Sequence, residues 1–171
     1  MKRFLTLLSI LVVVAFVSCS TDTKKEIAKL ESQMLDKNGM LRSDVGMELV
    51  DAYVLYAKEN PTSEEAPNYL FKALDISINI STNDYNKSIV IADQIVNKYP
   101  DFEMAPMALY LKAFVYEDKM HDYGKAEETY REFMEKYPNS PMLGDVKASL
   151  RSIGIPPYDL INLFENGLEN R

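Results

Sequence analysis

Residues 122–138 read Asp122-Tyr123-Gly124-Lys125-Ala126-Glu127-Glu128-Thr129-Tyr130-Arg131-Glu132-Phe133-Met134-Glu135-Lys136-Tyr137-Pro138. The spacing predicts one helix with marked ends. Asp122 can accept hydrogen bonds from the free N–H groups of a first turn. Ala126, Tyr130, Phe133 and Tyr137 recur every three or four residues and so share one face. Lys125, Glu128, Glu132 and Glu135 fall largely off that face. Pro138 ends the helix, because proline disfavours helical geometry in the residue before it.

The pattern occurs again 38 residues earlier. Asp84, Tyr85, Lys87, Lys98, Tyr99 and Pro100 align with Asp122, Tyr123, Lys125, Lys136, Tyr137 and Pro138. A third, weaker copy ends at Asn60-Pro61, 39 residues before Tyr99-Pro100. A period of this length implies stacked supersecondary units rather than an irregular bundle.

The totals agree with a helical chain. The 171 residues include only six Gly, and eight Pro stand mostly at the edges of periodic runs. The formal net charge of -7 argues against a phosphate-binding surface, which needs clustered Lys and Arg, so no nucleic-acid partner is expected. One Cys excludes an intramolecular disulfide.

Taken in order, residues 1–18 form a targeting segment. Lys2 and Arg3 precede an apolar run from Phe4 to Val17, and Ser18-Cys19 follows. A small residue directly before a Cys at the end of such a run resembles the lipobox of bacterial lipoproteins. That resemblance implies cleavage before Cys19, acyl chains on Cys19 and a mature protein held on a membrane through them. Two or more acyl chains anchor stably where one does not. With Ser20 rather than Asp after the Cys, it further implies the outer membrane, with the periplasmic face expected. A plain secretory signal and an uncleaved anchor are the alternatives, although the apolar run is short for a spanning helix.

Residues 19–23 then form a short polar tether, and residues 24–43 a docking helix and turn. Ile27, Leu30 and Met34 share the docking face, and Asp36-Lys37-Asn38-Gly39 is the turn. Ser43 is a candidate cap for a helix running to Asn60. Further helices are expected at 66–80, 84–98, 103–119, 122–136 and 142–153, the last closed by Gly154. Ala66-Pro67 and Ala105-Pro106 place proline in a first turn, where its missing N–H costs nothing. Residues 155–171 supply a capping helix with Leu160, Ile161, Leu163, Phe164 and Leu168, since the last unit of an array must cover its apolar face.

The helix pairs over residues 44–154 resemble the tetratricopeptide repeat. Tyr123, Ala126, Tyr130, Phe133 and Pro138 follow the spacing of that family's second helix, and Ala113 with Tyr116 follows its first. Tyr85, Ser88, Ala92, Ile95 and Pro100 repeat the second-helix spacing with other residues. The period of 38 to 40 exceeds the family's 34, and Trp is absent. The resemblance implies an all-α fold, a short right-handed solenoid of about three helix pairs. With the lipobox, the whole is similar to small tetratricopeptide lipoproteins of bacterial envelopes, including the outer-membrane assembly lipoprotein family.

No enzyme is expected. No Ser–His–acid spacing and no Gly-rich phosphate loop are present. His121, the only His, lies beside Asp118 and Asp122 in an inter-helix turn; a solvated loop is the reading favoured over an acid–base or metal role. No cofactor or metal follows from the sequence. The family's first helices line a groove for a partner segment, which maps to Leu70, Leu74 and Ser77 in one helix and Tyr110, Phe114 and Glu117 in the next. The competing reading is that these residues are inter-repeat core. The resemblance implies an envelope scaffold that binds a protein or peptide segment, with outer-membrane protein assembly its most specific version. A cell-wall or division coordinator and a solute- or glycan-binding lipoprotein are the alternatives.

Overall fold

Three helices end on the same backbone bend. The residues that close them, Asn60, Tyr99 and Tyr137, have φ/ψ of -127/57, -130/55 and -126/56 degrees. Each of the three N–H groups donates to the carbonyl four residues back (Tyr56, Ile95, Phe133) at 2.9 Å. Ser63, Phe102 and Ser140 then donate to Asn60, Tyr99 and Tyr137 at 3.0 Å, and Ala66, Ala105 and Leu143 donate to Ser63, Phe102 and Ser140. One connector is thus built three times. Its cause is the proline at 61, 100 and 138. Proline forces the preceding residue out of the helical region, and the residue three past the bend resumes the hydrogen-bond ladder.

This computed structural model describes residues 22–40, 42–80, 84–155 and 159. Among the described residues there are seven helices and the fold is all-α. They are α1 (22–33), α2 (Ser43–Glu59), α3 (Ala66–Asn79), α4 (Asn86–Lys98), α5 (Ala105–Phe114), α6 (Tyr123–Lys136) and α7 (Leu143–Ser152). A single π-helical turn, Val115–Lys119, prolongs α5. The chain divides into two compact units, Met1–Asn83 and Asp84–Arg171. The triplicated connector joins α2 to α3 in the first unit, and α4 to α5 and α6 to α7 in the second. The expected capping helix over 155–171 falls almost wholly outside the described residues, as does Cys19.

In the first unit α2 packs against α3, and α1 docks on both. Ile27 and Leu30 of α1 are buried with Val45, Leu49, Val50 and Tyr53 of α2 and Leu70, Ala73 and Leu74 of α3. Met34, expected on the same docking face, is half-buried. Polar pairs fix the edges of α1: Thr23 Oγ1 donates to Glu59 at 2.9 Å, and the Lys24 ammonium pairs with Glu65. Gly46 stands where α2 is approached most closely, since a Cβ there would overlap the Ile80 side chain. Ser43 does not cap α2. The cap position is Arg42, which makes no side-chain capping bond; its N–H goes to the Met34 carbonyl and its guanidinium to Asp44. The helix entry is set by the chain returning to α1 rather than by a hydroxyl.

In the second unit α5 packs between α4 and α6, and α7 lies on α6. Ala92, Ala105, Ala108, Ala113 and Ala126 are fully buried, and such small side chains let helix axes approach closely. Around them pack Ile91, Ile95, Leu109, Val115, Tyr130, Phe133 and Val146. Lys112 of α5 reaches Asp93 of α4 at 2.6 Å, with its side chain largely buried. Asp122 caps α6 as its position predicts, accepting from the Lys125 N–H at 3.1 Å. The helix expected over 103–119 is shorter at its start and irregular at its end: Glu103 and Met104 belong to the connector, and residues 115–119 wind as the π turn.

Candidate functional site

A π turn ends α5 beside a cleft lined by residues on α5, α6 and α7. Met120 N–H bonds back to the Val115 carbonyl at 3.0 Å, and Asp122 N–H to that of Tyr116 at 2.8 Å. Between them His121 takes φ +52, the only positive φ among the described non-glycine residues. A π turn inserts a residue into the helical ladder and swings the following side chains round the axis, and such turns occur often at functional sites. Here Tyr110, Phe114 and Glu117 already share a face by helical spacing, and the turn sets Asp118 and His121 beside them.

The result is an open cleft of about 590 Å³, within the range of ligand pockets. Tyr110, Phe114, Glu117, Asp118 and His121 line it from α5 and the turn after it, with Tyr123 and Tyr130 from α6 and Ser149 from α7. Gly154 and Ile155 close one end. The Tyr110 and Tyr130 rings lie 5.8 Å apart, tilted by 51 degrees. Gly154 has φ +70, a conformation that suits only glycine well, and the Tyr123 ring packs over it.

The polar floor centres on the Tyr130 hydroxyl, which also has a hydrogen bond with Ser149. Tyr130 Oη donates to Glu117 Oε2 at 2.9 Å. Burial first, with the Glu117 carboxylate adding against an opposing hydrogen bond from Ser149, pushes the Tyr130 phenol well above its ordinary range, so it stays a donor. Neither Lys nor Arg is among the described residues that line the cleft. Lys119 pairs with Asp118 at 2.9 Å and lies over the Phe114 ring, and Lys125 pairs with Asp122 at 2.7 Å.

The structure therefore brings Tyr110, Phe114 and Glu117 together. Leu70, Leu74 and Ser77 belong to the first unit and are buried, at 1%, 0% and 4% exposure, with Ser77 Oγ donating to the Leu74 carbonyl. They expose almost no surface to a partner and act as packing residues, the competing reading of the sequence. Asp118, Tyr123, Tyr130 and Ser149 were not expected at the site. Tyr123 and Tyr130 fit the repeat spacing and so read as core, yet Tyr123 is 45% exposed. His121 is exposed in its turn, as its sequence position predicts. Among the described residues no three His, Cys, Asp or Glu side chains gather as a metal site, and no helix is long and apolar enough to cross a membrane.

A smaller cleft of about 220 Å³ lies in the first unit, between α1, α2 and α3. Tyr53 Oη donates to Glu31 at 2.6 Å, and Lys72 pairs with the same carboxylate oxygen at 2.9 Å while lying over the Tyr53 and Tyr69 rings. The Tyr53 bond first, with Lys72 adding, holds the Glu31 carboxyl below its ordinary value against the opposing effect of burial. A depressed carboxyl stabilises the fold above its unfolded pKa, about 4.3, and loses that contribution as pH falls through the folded value. Tyr53→Phe is expected to cost about 1 kcal/mol at pH 7, kept small because the Glu31 side chain is 40% exposed. In urea unfolding at stepped pH, the gap between the two proteins should narrow as the pH falls below the ordinary carboxyl range.

Comparison with known families comes to one segment. Residues 107–140 match the family model described as the tetratricopeptide repeat. The match spans most of α5, the π turn, all of α6 and the bend after Pro138. The molecule is thus a small all-helical protein carrying a tetratricopeptide repeat, and the larger cleft lies on that repeat. No curated protein and no solved structure gives a significant match.

Proposed function

We propose that this protein is a non-enzymatic scaffold, anchored by lipid on Cys19 to the outer membrane of a bacterial envelope, that holds a partner protein there. The carrying observation is the open aromatic cleft on a tetratricopeptide repeat, a family whose units commonly serve in protein–protein interaction. Tyrosine and phenylalanine with a polar centre are what binding hot spots use. The envelope location rests on the sequence alone, on Lys2, Arg3, the apolar run to Val17 and Ser18-Cys19. Outer-membrane protein assembly is the specific role proposed, from the resemblance of the lipobox and repeats to that family of lipoproteins.

The test is crosslinking of the full chain in cells, with mass spectrometry of what it holds. An envelope protein is expected, with barrel-assembly components first among the candidates. Capture of no protein would overturn the scaffold reading. The anchor has its own test. An alkyne fatty acid fed to cells should label the wild type, and Cys19→Ala should lose the label and pass from the membrane to the soluble fraction. Unchanged fractionation of the unlabelled variant would remove the lipid anchor from the proposal.

A further inference from the structure

We infer that the cleft on the 107–140 repeat takes a cationic side chain, arginine or lysine, presented by an extended segment of the partner. This rests on the scaffold reading and gives the partner a chemistry. Tyr110 and the exposed Tyr123 offer ring surface to the cleft, with Phe114 already under Lys119 and Tyr130 buried beneath, and a ring face attracts a cation through its quadrupole. Glu117 supplies the charge. One of its carboxylate oxygens accepts from Tyr130, which fixes the group in place, and no described cation pairs with it. The second acid of the cleft, Asp118, is already matched by Lys119. Glu117 is thus the one cleft carboxylate whose counter-charge is missing among the described residues.

The backbone supports the same reading. The π turn that contains Glu117 replaces regular helical bonds, and His121 holds a left-handed conformation that a non-glycine residue adopts at a cost. Both irregularities lie beside the cleft. An acidic ligand would meet Glu117 and Asp118 with no lining Lys or Arg to receive it. A wholly apolar ligand would bury the Glu117 carboxylate without a counter-charge, which is strongly unfavourable. A guanidinium or ammonium group satisfies the carboxylate and the rings together. The cleft volume leaves room for the residues flanking the cation.

The experiment uses the full chain and four pools of fluorescent dodecapeptides with degenerate flanks, centred on arginine, lysine, citrulline or glutamate. Anisotropy should show the arginine and lysine pools bound, with citrulline, the neutral isostere of arginine, weaker by about tenfold or more. Glu117→Gln keeps an acceptor for Tyr130, so its thermal midpoint should stay that of the wild type. Its affinity for the arginine pool should fall to the citrulline level. Equal binding of arginine and citrulline, preference for the glutamate pool, or no binding by any pool overturns the inference. So does an intrachain crosslink from the cleft to residues 156–171 that no pool displaces, since the occupant is then the chain itself. In cells, a partner captured equally by wild type and Glu117→Gln leaves the scaffold standing and removes the cation. Capture of nothing removes the scaffold.

Discussion

Phe133→Ala is expected to lower stability by about 3–5 kcal/mol, the cost of an aromatic-to-alanine cavity in a core. The Phe133 side chain is fully buried and meets the Tyr137 ring edge-on, with centroids 5.5 Å apart. It lies on α6, which packs against both α5 and α7, so neither neighbour can move into the void without leaving its other contacts. The Phe133 carbonyl also accepts from the Tyr137 N–H, the first bond of the connector. Phe133→Leu should cost far less, under about 1.5 kcal/mol. The repeat itself shows why: the corresponding position in α4 is Ile95, also fully buried. In thermal unfolding followed by circular dichroism, the alanine variant should melt more than about 10 °C below the wild type, and the leucine variant within a few degrees of it. Similar shifts for the two would mean that volume at position 133 does not hold the pair together.

That position also shows how far the sequence was legible. Apolar spacing with a Tyr-Pro ending identifies helices whose structure depends on local rules, and the bends at Asn60, Tyr99 and Tyr137 follow from proline alone. The repeat was therefore readable even in its first copy, where Asn stands for Tyr. The cleft was half readable. Tyr110, Phe114 and Glu117 fall together in sequence, and helical spacing keeps them close. Tyr123, Tyr130 and Ser149 join them because of the π turn and the positive φ at His121, which depend on how α5 and α6 meet. A regular helix and a π turn have the same composition, so no residue pattern announces one. The Leu70, Leu74 and Ser77 set erred for a related reason. An apolar stripe is the same in sequence whether it faces an open groove or a neighbouring helix, and only the packing of the fold decides.

Ile27→Asp should release α1 while leaving α2 and α3 paired. Ile27 is 1% exposed and Leu30 beside it 4%, the two buried apolar side chains of α1. An aspartate there would be a buried charge with no cation facing it, a change of about 3–5 kcal/mol, or the helix must leave. Leaving costs less, because the remaining ties of α1 are Leu30 and the polar pairs of Thr23, Lys24 and Glu31 along its edge. Helices of this length are marginal alone in water, so an undocked α1 should unfold rather than swing out as a rod. Hydrogen exchange should then show residues 22–33 exchanging rapidly, with protection kept at Leu49, Val50 and Tyr53 of α2 and at Leu70 and Leu74 of α3. Losing α1 also removes Glu31 from Tyr53 and Lys72, so adding Tyr53→Phe to Ile27→Asp should cost nothing further at pH 7, where alone it costs about 1 kcal/mol. Equal protection losses across α1, α2 and α3 would instead make the docking helix part of one cooperative core, and the polar pairs along its edge would then matter to the whole unit.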